Sequence, residues 1–187
     1  MYIDDLFFTG DINIDDFKSV MKDEFEMTDL RLMRYILGIE VHKSKANIFM
    51  SQSKYANKLL KIFNMVSCKV APTPFISGLK LRKKDDGSNV DPTLFKRLVG
   101  SLMYLTVKRH DIMYGVSWIS RFMQSPKESH WHAGKRILSY VSGTNNFGIM
   151  CFTSKYFRLV GYTDSDCGGS IDEKKEPLGI YFIMVQV

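Results

Sequence analysis

Adjacent carboxylates at Asp4 and Asp5, with Tyr2-Ile3 before them and Leu6-Phe7-Phe8 after, are the first residues of this 187-residue chain whose types and spacing could do chemistry. Neighbouring side chains on a strand point to opposite faces, so only a sharp turn presents both carboxylates to one ion. Hard divalent cations such as Mg²⁺ take oxygen ligands and keep waters, so one or two carboxylates plus substrate phosphates make an ordinary site. Two such ions about 3.5–4 Å apart activate a hydroxyl nucleophile and stabilise a leaving pyrophosphate. Plain solvated turns are the other common setting for Asp-Asp pairs. A second acidic group, Asp164-Ser165-Asp166, stands where an apolar run gives way to Cys167-Gly168-Gly169. Acid at a strand end is again a metal position, with a solvated turn as its alternative.

Cations form the other candidate surface. Lys80, Arg82, Lys83 and Lys84, with Lys108, Arg109, Lys135 and Arg136, could track phosphates, and Trp118, Trp131 and Tyr140 could supply stacking. At helical spacing those aromatics equally suit a core. His130 and His132 lie about 200° apart on a helix, which excludes a shared metal and places them on the surface or in a groove. No Gly-rich phosphate loop or G-x-S-x-G motif is present, so hydrolase triads find no support.

The elements that must position these groups follow from periodicity. Residues 2–9 read as a hairpin with carboxylates at its tip, and Ile14, Phe17, Met21 and Phe25 repeat as one face of a helix. Runs at 33–41 and 46–51 predict two strands bridged by polar residues 42–45, and Tyr55, Leu59, Leu60 and Phe63 predict a helix over 52–65. Between Ala71 and Pro92, prolines, Gly78 and charged residues break all periodicity, as in a linker. Asp91-Pro92 opens a helix with Phe95, Leu98, Val99, Leu102 and Leu105 as its stripe. Further helices are expected over 111–123 and 129–141, with Gly143 as a stop. Strand-like runs follow at 147–152, 159–164 and 180–185. The fold class expected is mixed α+β.

Composition narrows the function classes. The chain is 45% hydrophobic and 25% charged, which suits a packed domain rather than disorder or a coiled coil. No run approaches the roughly 18 apolar residues of a membrane span, and the acidic amino end does not read as a secretory signal, so an intracellular protein is expected. Cys68, Cys151 and Cys167 lack C-x-x-C spacing, which predicts reduced thiols rather than a disulfide framework or zinc site. The formal charge of +6 hides an asymmetry, because residues 1–29 hold nine acids against Lys18 and Lys22 and residues 30–187 carry +13. A basic body suits an anionic partner, although Lys and Arg scattered over solvated helix faces give the same count.

Tyr2-Ile3-Asp4-Asp5-Leu6-Phe7-Phe8-Thr9-Gly10 resembles the YxDD segment of reverse transcriptases, in the form used by copia-type LTR retrotransposons. Further resemblances follow in the family's order: Phe25 to Leu30, Tyr35 to Val41, Ser51 to Ala56, Phe95 to Thr106, Asp111 to Tyr114 and Lys135 to Leu138. Gly161-Tyr162-Thr163-Asp164-Ser165-Asp166 is similar to the opening of the family's ribonuclease H domain.

The resemblance implies a piece of a Pol polyprotein: late palm hairpins over 1–50, a helical thumb and connection over 51–152 with the linker 71–92 inside it, and the first strands of a ribonuclease H-like sheet over 153–187. It makes Asp4 and Asp5 polymerase metal ligands and Asp164 the first ribonuclease H carboxylate, with Mg²⁺ or Mn²⁺ as cofactor. The implied partners are an RNA or DNA template-primer duplex and the rest of a Pol polyprotein. Residues 35–50 correspond to the hairpin that grips the primer, and 91–143 to helices that track the duplex backbone.

Departures from the family pattern bear on activity. The family takes a further metal-binding Asp from upstream of YxDD, and its later ribonuclease H acids fall after the position of Val187. Its Asp-Trp-Ala/Gly, Arg-Lys-Ser-Thr-Ser-Gly and Arg-Pro-Asp read here Asp166-Cys167-Gly168, Lys174 to Gly179 and Arg109-His110-Asp111. Two incomplete active sites are expected, in a fragment inactive by itself. The alternative is a non-enzymatic nucleic-acid-binding remnant of a retroelement.

Overall fold

The structure, a computed structural model, describes residues 14–29, 32–44, 47–83, 86–152, 157–164 and 179–186. The hairpin expected over residues 2–9, and with it Asp4 and Asp5, lies outside the described residues, as does Lys84. The chain divides into two compact units, Met1–Met33 and Arg34–Val187.

In the first unit, α1 (Ile14–Glu24) places Asp15 and Asp16 in its first turn, where carboxylates oppose the positive end of the helix dipole. Phe17 and Met21 of the expected stripe are half-buried, and Lys18 reaches Asp29 at 3.0 Å.

The second unit is mixed α and β, as expected. Strands β1 (Tyr35–Ile36), β2 (Ile39–Lys43), β3 (Asn47–Ser51) and β4 (Gly148–Phe152) form an antiparallel sheet in that order. Residues 33–41 are not the single strand that their apolar run suggests. Leu37 (φ 43°) and Gly38 (φ 76°) make a two-residue turn, pairing Ile36 with Ile39. Positive φ at both centres is the mark of a type I′ hairpin, whose twist matches its strands. The Tyr104 hydroxyl donates to the Leu37 carbonyl, and a Cβ on Gly38 would stand 3.1 Å from the Tyr104 oxygen.

Helix α2 (Ser53–Ile62) ends in a Schellman motif: Asn64 takes φ 54°, its N–H reaches the Lys61 carbonyl, and the Met65 N–H reaches the Leu60 carbonyl. Helix α3 (Pro92–Leu105) starts as expected, with the Asp91 carboxylate accepting from the Thr93 N–H at 2.8 Å and Pro92 in the first turn. Its apolar stripe, Phe95, Leu98, Val99, Leu102 and Leu105, is completely buried. Each such side chain removed from water contributes roughly 1.5–3 kcal/mol. A 3₁₀ turn (His110–Ile112), α4 (Met113–Ser120) and α5 (Glu128–Gly143) complete the helices. Trp118, Ile119, Ile137, Leu138 and Val141 fill the centre, so Trp118 serves the core and not a stacking surface. Strands β5 (Phe157–Asp164) and β6 (Gly179–Gln186) form a separate antiparallel ladder in which Asp164 stands opposite Gly179.

Gly143 ends α5, as expected, without a left-handed backbone. A Cβ there would lie 2.3 Å from a Val70 methyl, so the residue is needed for close approach. Val70 belongs to a strap, residues 68–83 and 86–90, that runs along α5 in the opposite direction. Cys68 Sγ lies 3.5 Å from Ser142 Oγ, Arg136 donates to Thr73 Oγ1 at 3.0 Å, and the Glu128 N–H reaches the Ser88 carbonyl at 3.0 Å. Leu81, buried in the core, pins the strap at its middle.

Among the described residues, no helix is long and apolar enough to cross a membrane.

Candidate nucleic-acid interface

The cations singled out by the sequence fall into two groups on the strap and α5. Lys80, Arg82 and Lys83 are exposed on the strap. Lys135 and Arg136 are half-buried on α5, with Lys135 Nζ 5.7 Å from the centroid of the Trp131 ring. The Arg82 carbonyl meets His130 and Thr73 meets Arg136, so the two groups stand about 9 Å apart along the α5 axis. Lys69 joins the second group through Ser139, whose hydroxyl donates to the Lys69 carbonyl. No spacing rule finds Lys69, because it lies in an aperiodic stretch and its neighbours on α5 are far along the chain.

His130 is not a groove residue. It is completely buried, stacked on Phe122, with Nδ1 accepting from the Lys127 N–H at 2.9 Å and Nε2 3.0 Å from the Arg82 carbonyl. A proton on Nε2 satisfies both contacts. The imidazole caps α5 and anchors the basic strap in one stroke. His132 stays exposed and meets Glu128 at 3.5 Å.

A buried cation orders the far end of α5. Arg109, 2% exposed, donates from Nε and Nη2 to the two Asp111 oxygens at 2.9 and 2.8 Å, and from Nη1 to the Thr144 carbonyl at 2.9 Å. The Tyr140 and Phe147 rings lie 5.7 and 5.3 Å from its guanidinium carbon. Burial works against ionisation of Asp111, but the hydrogen bonds and charge of Arg109 outweigh it and hold the carboxyl below its ordinary value. Burial, followed by the Asp111 contact, raises the Tyr140 phenol. Burial likewise raises Tyr55, whose hydroxyl donates to the Ser101 carbonyl. Arg109 is therefore a structural clamp rather than a phosphate contact. It ties the end of α3 to the turn that delivers β4 to the sheet.

For the acidic candidates the structure gives less. Asp164 is the last residue of β5 by its backbone course. Among the described residues, no three His, Cys, Asp or Glu side chains come together as a metal cage.

Residues 1–77 match the reverse transcriptase (RNA-dependent DNA polymerase) family. The chain is 35% identical to the retrovirus-related Pol polyprotein of transposon TNT 1-94 from Nicotiana tabacum, over 97% of this chain and 14% of that protein. It is also 35% identical to the Pol polyprotein of transposon RE1 from Arabidopsis thaliana, over 92% of this chain and 12% of that one. An uncharacterized mitochondrial protein of Arabidopsis thaliana is 32% identical over 96% of this chain and 75% of its own length. No solved structure matches. The chain belongs to the reverse transcriptase family of copia-type transposon Pol polyproteins. It spans about one-seventh of the length of the tobacco polyprotein.

Proposed function

We propose that the chain is part of an RNA-directed DNA polymerase with ribonuclease H, in which residues 1–50 close the palm, 51–152 form thumb and connection, and 153–187 begin the ribonuclease H-like sheet. The observation that carries this reading is the family match over residues 1–77, which includes the Tyr2-x-Asp4-Asp5 segment. Asp4 and Asp5 serve as polymerase metal ligands and Asp164 as the first ribonuclease H acid. Their carboxylates are the hard oxygen donors that Mg²⁺ or Mn²⁺ prefers. Bound there, the metal supplies Lewis-acid activation of a hydroxyl and charge stabilisation. The partner is a template-primer duplex, held through backbone phosphates by Lys80, Arg82, Lys83, Lys84, Lys135 and Arg136. Such contacts fix register and carry no sequence information.

Primer extension on an RNA template tests the reading. The 187 residues contribute the Asp4 and Asp5 carboxylates to the metal site of this reading. Joined to the upstream part of a Pol relative, they are expected to support extension that Asp4→Asn with Asp5→Asn abolishes. Undiminished extension by that double variant would sink the assignment.

A further inference from the structure

A hollow of about 390 Å³ lies between α5 and the strap, lined by Lys69, Lys135, Arg136 and His132 together with Val70 and Pro72. We propose that this hollow seats a backbone phosphate of a bound polynucleotide, an assignment that rests on the nucleic-acid reading above and gives it a defined contact.

Three observations carry the proposal. First, three cations line one hollow. Lys69, Lys135 and Arg136 form no ion pair among the described residues, and the carboxylate nearest in sequence, Glu128, pairs with His132. Charges of one sign lining a cleft raise the local concentration of an anion. Second, Arg136 donates from Nη2 to Thr73 Oγ1, while its Nε is buried and without a hydrogen-bond partner. A buried cationic donor left unsatisfied is costly, and a phosphate oxygen is the kind of acceptor that would satisfy it. Third, the walls are already fixed. Ser139 donates to the Lys69 carbonyl and accepts the Ala71 N–H through its own carbonyl, Cys68 meets Ser142, and Val70 is seated on Gly143. Ligand binding here orders little that is not ordered beforehand. Lys80, Arg82 and Lys83 are exposed on the strap and do not line this hollow, so they supply long-range attraction and the hollow supplies the seat.

Cys68 lines the hollow and is half-buried, which makes its thiol a reporter of occupancy. The rate of Cys68 alkylation, read by peptide mass mapping, is measured with a short RNA–DNA duplex, with pyrophosphate and with polyglutamate, while fluorescence anisotropy reads duplex binding separately. At duplex concentrations tenfold above Kd, alkylation is expected to slow about tenfold, as the fraction of open sites falls. Lys69→Met with Arg136→Met is expected to lose that protection, the ratio of rates with and without ligand being taken within each protein. The same variant should flatten the slope of log K against log salt by roughly 0.9, the share of one phosphate contact. Its circular dichroism melt shows whether it is folded, and the protection measured on the unaltered chain needs no variant. Duplex binding with unchanged Cys68 alkylation overturns the seat and leaves the nucleic-acid reading intact. Protection by pyrophosphate without any duplex binding overturns the polynucleotide as its ligand, and equal protection by polyglutamate overturns phosphate as the preferred chemistry.

Discussion

The His130 imidazole lies flat on the Phe122 ring, with centroids 3.9 Å apart and planes 11° from parallel, while its two nitrogens bridge the Lys127 N–H and the Arg82 carbonyl. One side chain thereby closes the start of α5, fills the core and fixes the middle of the strap. Replacing it with alanine removes a buried ring and orphans two backbone groups. His130→Ala is expected to cost about 2–4 kcal/mol, read as a lowered midpoint in urea denaturation. A loss under about 0.5 kcal/mol, the range of ordinary surface changes, would contradict this role.

The Arg109–Asp111 pair makes stability depend on acid. The carboxyl is depressed below its unfolded value of 3.8. Its contribution is therefore complete above that value and is lost as pH falls through the lower, folded pKa. Asp111→Asn leaves a buried guanidinium without its counter-charge, and at neutral pH the expected cost is about 2–4 kcal/mol, somewhat under a fully buried pair because the carboxylate is partly exposed. The difference from wild type should shrink as the pH of thermal melts drops below about 4. A gap that widens in acid would reverse the sign and refute the account.

Gly38 tests the hairpin that the sequence hid. Its φ of 76° strains any side chain, and Tyr104 leaves an added Cβ only 3.1 Å. Gly38→Ala is expected to destabilise by about 1 kcal/mol or more. Combining it with Tyr104→Phe, which removes the crowding oxygen but also the bond to Leu37, should give a non-additive cycle. Strict additivity would mean that the turn and Tyr104 are independent.

Replacing Lys80, Arg82, Lys83 and Lys84 together should weaken duplex binding and flatten its salt dependence, since each lost phosphate contact removes about 0.9 from the slope. Single replacements should matter little. Affinity near physiological salt is expected at roughly 10⁻⁴–10⁻⁶ M and without sequence preference. A salt titration of the fourfold variant checks this, and an unchanged slope would remove the cluster from the contact surface.

The strap shows where sequence reading stops. Prolines and charge at residues 71–92 break periodicity, and that much is visible in the chain. That Ala71 and Leu81 are buried, and that residues 68–83 and 86–90 lie along α5, comes from partners about 40 to 75 residues away. Lys69 could not be recognised as lining the hollow for the same reason. Likewise Arg109-His110-Asp111 was visible as a motif with a changed centre, but its work as a clamp depends on Thr144 and on the Tyr140 and Phe147 rings.

By itself the sequence determined the helices of the second unit, the capped start of α3, most of the strands and the family, because 3.6-residue and two-residue periodicities and local motifs are written in neighbouring residues. Asp91-Pro92 needs nothing distant to begin a helix, and the stripe from Phe95 to Leu105 needs only its own spacing to choose a buried face. The tertiary structure alone decided that Leu37-Gly38 turns, that His130 faces inward, that Gly143 admits Val70 and that Lys69 stands with Lys135 and Arg136. Each of those outcomes involves a contact across a large separation in the chain: Leu37 with Tyr104, His130 with Arg82, Gly143 with Val70 and Lys69 with Ser139. Its energy comes from which surfaces meet, and no local propensity encodes that meeting.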